Sequence, residues 1–252
     1  MLKVCADDFG QSVAISKGIL QLVAMNRLQA VSCMVTEPAC KTYAPALQAY
    51  AGKIELGLHL NLTHQIAPLW KVIAQSYRFW PASTIQLKQT IAAQLHSFHQ
   101  LFGCWPDFID GHQHVHQLPR VAELLFVVLQ ELKLSPWLRR TYAWGDFSLL
   151  TRGSLKKLAL CLLGGHRFAK QLVDRQFSYN QGFAGDYDFS PKRAYRDVFL
   201  DAVAQVQGDG LIMCHPGFDA LDMTDPISKT RQIEYDYFSS DAYLQDRSFG
   251  FK

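Results

Sequence analysis

Acids and histidines occupy four short segments of the chain, each at the end of a run of apolar residues. The segments are Asp7-Asp8, His59, His112-Gln113-His114-Val115-His116, and His215. The apolar runs are predicted to be strands, so each segment is expected at the carboxyl end of a strand. In β/α barrels this end carries the active site, and neighbouring strands would bring the four segments to one opening.

The first segment places two carboxylates side by side, directly after the predicted strand Leu2–Ala6. Two carboxylates held close together repel each other, so the pKa of one is raised unless a cation neutralises the pair. Asp7 and Asp8 therefore indicate either a bound cation or two acids with different roles. The alternative is that one of them caps the following helix while the other is solvated.

The histidines extend this interpretation toward a metal site. One carboxylate and two imidazoles, with a coordination position left open for water, suit a catalytic divalent metal ion. In an extended conformation His112, His114 and His116 would all lie on one side, because side chains repeat every two residues. Sequence does not determine how many of the three bind metal. No role is assigned to the histidines in predicted loops and helices, which are His64, His96, His99 and His166.

The elements that must position these residues alternate between strand and helix. The predicted strands are apolar throughout, which is typical of a parallel sheet covered by helices. At least six strands are predicted along the chain, which favours a closed or nearly closed (β/α) barrel in a single domain over residues 1–252. A flat doubly wound sheet is the alternative. No G-x-G-x-x-G motif follows the first strand, so a dinucleotide-binding fold has no support.

Composition excludes several classes of function. The 252 residues are 49% hydrophobic, enough for one sizeable core, and the net charge of +3 without a Lys/Arg block does not suggest nucleic-acid binding. The six cysteines form no C-x-x-C pair, which favours a reducing compartment over disulfides or a cysteine zinc site. Asp7 and Asp8 interrupt any signal peptide, and Leu158–Leu163 is too short to span a bilayer. A soluble cytoplasmic protein is expected.

Together, four motifs resemble those of the YdjC-like carbohydrate deacetylases, which are distant relatives of the NodB-type polysaccharide deacetylases. The motifs are Ala6-Asp7-Asp8-Phe9-Gly10, Gly57-Leu58-His59, Asp110-Gly111-His112-Gln113-His114-Val115-His116, and His215-Pro216-Gly217. Their order and approximate spacing agree from the first strand to at least residue 235. The resemblance implies a distorted NodB-like barrel, one divalent metal ion (Zn²⁺ or Mg²⁺), and removal of N-acetyl groups from sugars.

The resemblance also implies a role for each of five residues. Asp8 resembles the metal-binding acid, and His59 and His112 resemble the two metal-binding histidines. Asp7 resembles the catalytic base, and His215 resembles the general acid. This division of labour suits amide hydrolysis, in which a base activates water and an acid protonates the departing amine.

Some positions carry no clear role from the resemblance. Gln113 replaces a histidine that the family more often has, so nothing is carried over to it. Arg139 or Arg140 resembles a family arginine near a strand end, and the roles of His114 and His116 stay open.

The partner that the resemblance implies is an N-acetylated sugar or oligosaccharide, with a homodimer as a further expectation. Residues 64–82 and 143–190 are expected to determine the substrate. Residues 64–82 are predicted to be an irregular functional loop or lid. The aromatic residues of this segment are Trp70, Tyr77, Phe79 and Trp80. They either stack on sugar rings or pack against the rest of the loop. Two alternatives to the deacetylase are a metal-dependent phosphoesterase and a non-catalytic sugar-binding homologue.

Overall fold

The structure is a computed structural model that describes residues 2–64, 66–77, 81–143, 146, 154–190, 192–206, 209–219 and 225–250. Within these residues, seven strands form one parallel sheet. They are β1 Lys3–Phe9, β2 Ala30–Cys33, β3 Glu55–Leu60, β4 Phe108–Gly111, β5 Trp137–Leu138, β6 Phe183–Ala184 and β7 Leu211–Cys214. The order across the sheet is β5-β4-β3-β2-β1-β7-β6, so the strands that end in the predicted site residues lie near one another.

Helices connect and cover these strands. The α-helices are α1 Val13–Ala24, α2 Pro38–Gln48, α3 Leu69–Tyr77, α4 Pro81–Phe102, α5 Pro119–Glu131, α6 Ser154–Leu160, α7 His166–Asp174, α8 Tyr195–Gln205, α9 Ser228–Ser239 and α10 Asp241–Gly250. A 3₁₀ helix covers His112–Gln117, and a π-helical turn covers Cys161–Gly165. None of the helices in the described ranges is both long and apolar enough to cross a membrane.

The strands are buried on both faces, as their continuous apolar sequences predict. In β1, every residue from Val4 to Phe9 is buried, and all four residues of β7 are buried as well. A parallel sheet with helices on its faces has this pattern, because neither face meets water. All six cysteines are free thiols, and Cys104 is exposed while the others are buried.

The sheet curls until its two edges approach each other, which confirms the predicted distorted barrel rather than a flat sheet. The backbone N–H of Leu138 in β5 donates to the carbonyl of Ser178, ahead of β6, at 2.9 Å. The side-chain oxygen of Asn180 accepts from the backbone N–H of Arg140 at 2.8 Å. These bonds join the edge strand β5 to the segment that leads into β6.

The prediction that residues 64–82 are irregular was wrong in part, because α3 occupies the middle of this segment. The helix begins after Pro68, whose carbonyl accepts from the backbone N–H groups of Lys71 and Val72. Its buried residues are only Val72 and Ser76, so the apolar stripe was too short to identify. Trp70 and Tyr77 are 71% and 54% exposed. Phe79 and Trp80 lie outside the described residues.

Candidate metal centre

Three of the predicted site residues meet at the carboxyl end of the sheet. Asp8 lies near the end of β1, His59 near the end of β3, and His112 directly after β4. The Oδ1 atom of Asp8 is 3.2 Å from His59 Nε2 and 3.0 Å from His112 Nδ1. Tetrahedral zinc ligands bound at about 2.0–2.2 Å lie about 3.4 Å from one another. The three residues therefore fit the donor set and the spacing that a divalent metal ion requires.

The strand β1 runs through both acids to Phe9, three residues beyond its predicted end, and changes conformation between the two acids. Asp8 has φ of 66°, in the left-handed region that side chains other than glycine rarely adopt. The pairing of β1 with β2 shifts register between Ala6 and Phe9. A bulge of this kind breaks the alternation of side chains, so both Asp7 and Asp8 reach the same end of the barrel. Backbone strain of this type commonly marks functional sites.

The second oxygen of Asp8 is held by an arginine from the far end of the chain. Arg231 in α9 donates from Nη2 to Asp8 Oδ2 at 2.8 Å and from Nε to Asp225 Oδ2 at 2.6 Å. Burial alone would raise the pKa of Asp8, but the positive charge of Arg231 and the hydrogen bonds from His112 and His59 hold it well below its usual range. Asp8 is therefore ionised, with Oδ1 directed at the two histidines.

A buried carboxylate fixes the orientation of His59. Asp110, which is fully buried, has Oδ1 2.7 Å from His59 Nδ1. Ser32 donates from its hydroxyl to the same oxygen. Because an ionised carboxylate only accepts hydrogen bonds, His59 carries its proton on Nδ1 and presents Nε2 toward Asp8. Burial opposes a charge on His59, yet Asp110 raises the pKa of the imidazole to about 10, so Nε2 also carries a proton in the metal-free site, which a bound metal ion would displace.

Asp7 does not contact these ligands and is instead clamped by Arg139. The guanidinium donates from Nη1 to Asp7 Oδ2 and from Nη2 to Asp7 Oδ1, both at 2.6 Å. Arg139 Nη2 also lies 2.5 Å from Asp110 Oδ2, so one cation joins the two acids. Arg140 is directed elsewhere, toward Asp146 at 3.0 Å. Of the two arginines left open by the sequence, Arg139 is the one in the site.

Cys5, Asp7 and Asp110 form a second cluster of metal-type ligand atoms. Arg139 lies among them, with Nη2 3.1 Å from the Cys5 sulfur. Burial raises the pKa of the Cys5 thiol well above its ordinary value, so the sulfur stays protonated. A neutral thiol beside a guanidinium does not favour a metal ion, and this cluster is a buried ion-pair network.

His215 follows β7 directly and lies at the same end of the barrel. Its backbone N–H donates to Glu234 Oε2 at 2.5 Å, and its ring packs edge-on against Phe189 with centroids 5.2 Å apart. Among the described residues, its buried Nδ1 atom has no hydrogen-bond partner. Burial lowers the pKa of His215 to about 4, against the opposing charges of Asp8 and Asp7.

The histidine-rich segment does not adopt the extended conformation that would place its three imidazoles on one side. It forms a 3₁₀ helix in which Gln113 and His114 have φ of 53° and 58°. The chain must turn within a few residues from β4 into α5, and the three imidazoles separate as it does so. His114 packs edge-on against Phe183, and buried His116 has Nε2 2.8 Å from the Arg139 carbonyl. Only His112 joins Asp8 and His59.

Several site residues were not identified from the sequence. Asp110 and Arg231 contact the predicted ligands directly, and Glu234 holds the backbone of His215. Asp110 had a detectable signal, since it lies in a motif two residues before His112. Arg231 and Glu234 lie on a helix more than 200 residues from Asp8, and nothing in their local sequence marks them. His64 also approaches the site, with its ring centroid 5.4 Å from that of His112.

Comparison with known proteins identifies sequences that resemble this chain. A chitooligosaccharide deacetylase of Serratia marcescens is 25% identical over 271 aligned residues, covering 99% of this chain and 96% of that protein. The carbohydrate deacetylases of Mus musculus and Homo sapiens are each 29% identical over 147 residues. Those two alignments cover 51% of this chain and only 47% and 45% of the relatives, so the chain matches about half the length of each.

A solved structure shares the fold along the whole chain. The crystal structure of an Enterococcus faecalis protein superposes with a TM-score of 0.66 and 20% sequence identity, and it covers 99% of this chain and 94% of its own. The model of the YdjC-like protein family matches residues 1–247. On the strength of that match, the chain belongs to the YdjC-like protein family.

Proposed function

We propose that this protein is a metal-dependent hydrolase that removes an N-acetyl group from an amino sugar or oligosaccharide and releases acetate. The convergence of Asp8, His59 and His112 at the carboxyl end of the sheet is the observation that carries the proposal. Family membership and the names of the relatives, which include a chitooligosaccharide deacetylase, support the choice of substrate class.

Asp8, His59 and His112 would hold the metal ion, Zn²⁺ or Mg²⁺. When bound, such an ion polarises a carbonyl and lowers the pKa of a bound water from about 15.7 to about 7. The mixed oxygen and nitrogen ligands favour zinc on ligand softness. Arg231 and Asp110 fix the two ligands that they contact, so the site is prearranged before any ion arrives.

Asp7 accepts the proton that the attacking water gives up. Arg139 donates to both carboxylate oxygens, and the Cys5 thiol also donates to Oδ1 at 3.6 Å. Each oxygen has two lone pairs, so an acceptor position remains on Oδ2. The bidentate clamp fixes the plane of the carboxylate, which matters because a misplaced base loses much of its effect. General base catalysis of this kind contributes roughly 10²- to 10⁴-fold in rate.

His215 donates a proton to the departing amine, which otherwise leaves poorly. In the free protein burial keeps His215 neutral, with its pKa lowered to about 4. Negative charge that develops on the substrate as water attacks raises the proton affinity of a nearby imidazole. His215 therefore takes up a proton from solvent at this stage and passes it to the departing amine, and Asp7 afterwards returns the proton of the attacking water to solvent.

A two-metal phosphoesterase is less compatible with these residues. Such enzymes use two ions about 3.5–4 Å apart. In the described part of the chain, the second cluster of ligand atoms already contains Arg139. The positive charge that a phosphoester would need is paired with Asp7 and Asp8 instead.

The test is acetate release by protein stripped of metal with a chelator and reloaded with Zn²⁺ or Mg²⁺ separately. N,N′-diacetylchitobiose and N-acetylglucosamine are suitable substrates, with p-nitrophenyl phosphate as the phosphoester. We expect acetate release that needs the ion and no phosphate release. Phosphate release without acetate release would overturn the proposal.

A further inference from the structure

A histidine that the proposed mechanism does not use lies at the edge of the metal centre. His64 follows β3, and its ring centroid is 5.4 Å from that of His112. Its side chain is 42% exposed, whereas the side chain of His59 is only 3% exposed. His64 is therefore on the open side of the site, where a substrate would approach.

Glu37 pairs with this histidine. His64 Nδ1 lies 3.2 Å from Glu37 Oε1. The same carboxylate oxygen accepts from Asn61 Nδ2 at 2.9 Å, and the Asn61 side-chain oxygen accepts from the His64 backbone N–H at 3.1 Å. Asn61 thus holds both partners, one through each end of its carboxamide.

The support for Asn61 is buried and comes from α4. Gln94 accepts from the Asn61 backbone N–H at 2.9 Å and donates to the Asn61 carbonyl at 2.7 Å. Both Asn61 and Gln94 are buried. An ordinary surface ion pair contributes little to stability and needs no such support. The arrangement instead fixes one half-exposed imidazole relative to His112.

The geometry determines which nitrogen of His64 is available. An ionised Glu37 can only accept, so His64 carries its proton on Nδ1. In a neutral imidazole the other nitrogen, Nε2, is then a hydrogen-bond acceptor. A fixed acceptor on the open side of the centre suits a hydroxyl donor, and the ring hydroxyls of a sugar are donors of this kind.

We propose that His64 and Glu37 form a hydroxyl-binding subsite, in which His64 Nε2 accepts a hydrogen bond from a ring hydroxyl of the sugar. Glu37 contributes by holding the tautomer that leaves Nε2 free. The inference rests on the proposed function, because it assigns a contact to the same substrate class. It makes His64 a binding residue and Glu37 a positioning residue.

The first test measures binding without turnover. Calorimetry would give the dissociation constant of metal-free protein for N,N′-diacetylchitobiose, in the unaltered chain and in His64→Phe. Phenylalanine keeps a ring against His112 but has no acceptor, so we expect about threefold to tenfold weaker binding. His96→Phe is the matched control, since His96 in α4 is an exposed histidine whose ring packs against Trp105. It should bind the sugar as the unaltered chain does.

The second test separates a hydroxyl contact from a general disturbance of the loop. The 3-, 4- and 6-deoxy analogues of the sugar are compared in both proteins. One deoxy analogue should bind the unaltered chain more weakly than the parent sugar does. The affinity of that analogue should then be the same for His64→Phe as for the unaltered chain. Zn²⁺ affinity and melting temperature should stay unchanged in the variant, because His64 is not among the proposed ligands.

The role of Glu37 is tested by measuring which tautomer His64 adopts. In ¹⁵N-labelled protein, NMR of the His64 ring should show a proton on Nδ1, and Glu37→Ala should give a mixture of tautomers with weaker sugar binding. The subsite would be overturned if the unaltered chain and His64→Phe bound the sugar equally well. It would also be overturned if His64→Phe weakened the binding of every deoxy analogue by the same factor. Absence of acetate release from this sugar by the metal-loaded unaltered chain would instead overturn the proposed function, and the subsite with it.

Discussion

Arg139 donates a hydrogen bond to each carboxylate oxygen of Asp7, from Nη1 to Oδ2 and from Nη2 to Oδ1, both at 2.6 Å. Both side chains are buried, and the same guanidinium reaches Asp110, which in turn holds His59. A continuous chain of charged contacts therefore links the proposed base to a proposed metal ligand. The base and the metal are positioned by one shared network rather than separately.

The first prediction concerns this clamp. Arg139→Lys keeps the positive charge but loses the planar fork that holds Asp7. We expect kcat for acetate release to fall by about 10²-fold or more, while the affinity for Zn²⁺ changes by less than about tenfold. Steady-state kinetics and calorimetry check the two quantities. Arg140→Lys is the matched control and should leave kcat within about twofold. An unchanged kcat in Arg139→Lys would show that the clamp is not needed.

The second prediction concerns Arg231. Asp8 has a lowered pKa, so its ion pair with Arg231 stabilises the fold above the unfolded pKa of about 3.9, and that stability is lost as pH falls through the lowered value. Arg231→Gln leaves the buried carboxylate of Asp8 and the partly buried carboxylate of Asp225 without their cation. We expect metal-free protein to lose roughly 3–5 kcal/mol of unfolding free energy at pH 7.

Urea unfolding of both proteins between pH 3 and pH 7 measures this difference. The gap between the two free energies of unfolding should narrow as the pH falls below about 4, where Asp8 of the variant begins to take up a proton. Arg193→Gln is the control, since Arg193 pairs with Asp201 at the surface. A gap independent of pH would show that the loss comes from packing rather than from charge.

The third prediction concerns Glu234, a fully buried acid beside His215. Burial raises its pKa from 4.5 to about 7, although bonds from Tyr187 and the His215 backbone oppose the rise. A raised acid pKa means that the folded protein binds the proton more tightly. Glu234 therefore costs no stability below about pH 4.5, and the cost grows as pH rises to about 7.

The cost at neutral pH is roughly 3 kcal/mol, at about 1.4 kcal/mol per pH unit. Glu234→Gln can keep both contacts, because its oxygen accepts from His215 and its nitrogen can donate to Tyr187. Ionisation of Glu234 should lower the free energy of unfolding of the unaltered protein between pH 4.5 and 7. We expect this decline to be absent from Glu234→Gln. Chemical unfolding at several pH values tests it, and the same decline in both proteins would rule Glu234 out as its source.

Local sequence was enough to predict which residues at the strand ends come together. Asp8, His59 and His112 each follow an apolar run, and parallel strands place their carboxyl ends together. The same reasoning left the conformation of the segment that begins at His112 open, and the structure shows a turn into α5 rather than an extended chain. Periodicity cannot reveal a turn that is imposed by two consecutive left-handed residues.

Contacts between distant segments were also beyond sequence reasoning. Arg231 and Asp8 are 223 residues apart, yet they form one of the central ion pairs. The partners of a buried charge are selected by the fold, so no local pattern around Arg231 identifies Asp8. His64 was likewise unremarkable in sequence, because its relation to His112 depends on how the chain leaves β3.

The division of roles between Asp7 and the three proposed ligands is the central claim. The most direct measurement is the number of Zn²⁺ ions bound per chain, determined alongside acetate release, in Asp7→Asn and His112→Ala. We predict that Asp7→Asn binds one ion with nearly the affinity of the unaltered protein but loses about 10²-fold or more of its turnover. His112→Ala should lose both the ion and the turnover. Equal loss of metal in the two variants, or full turnover in Asp7→Asn, would contradict the account.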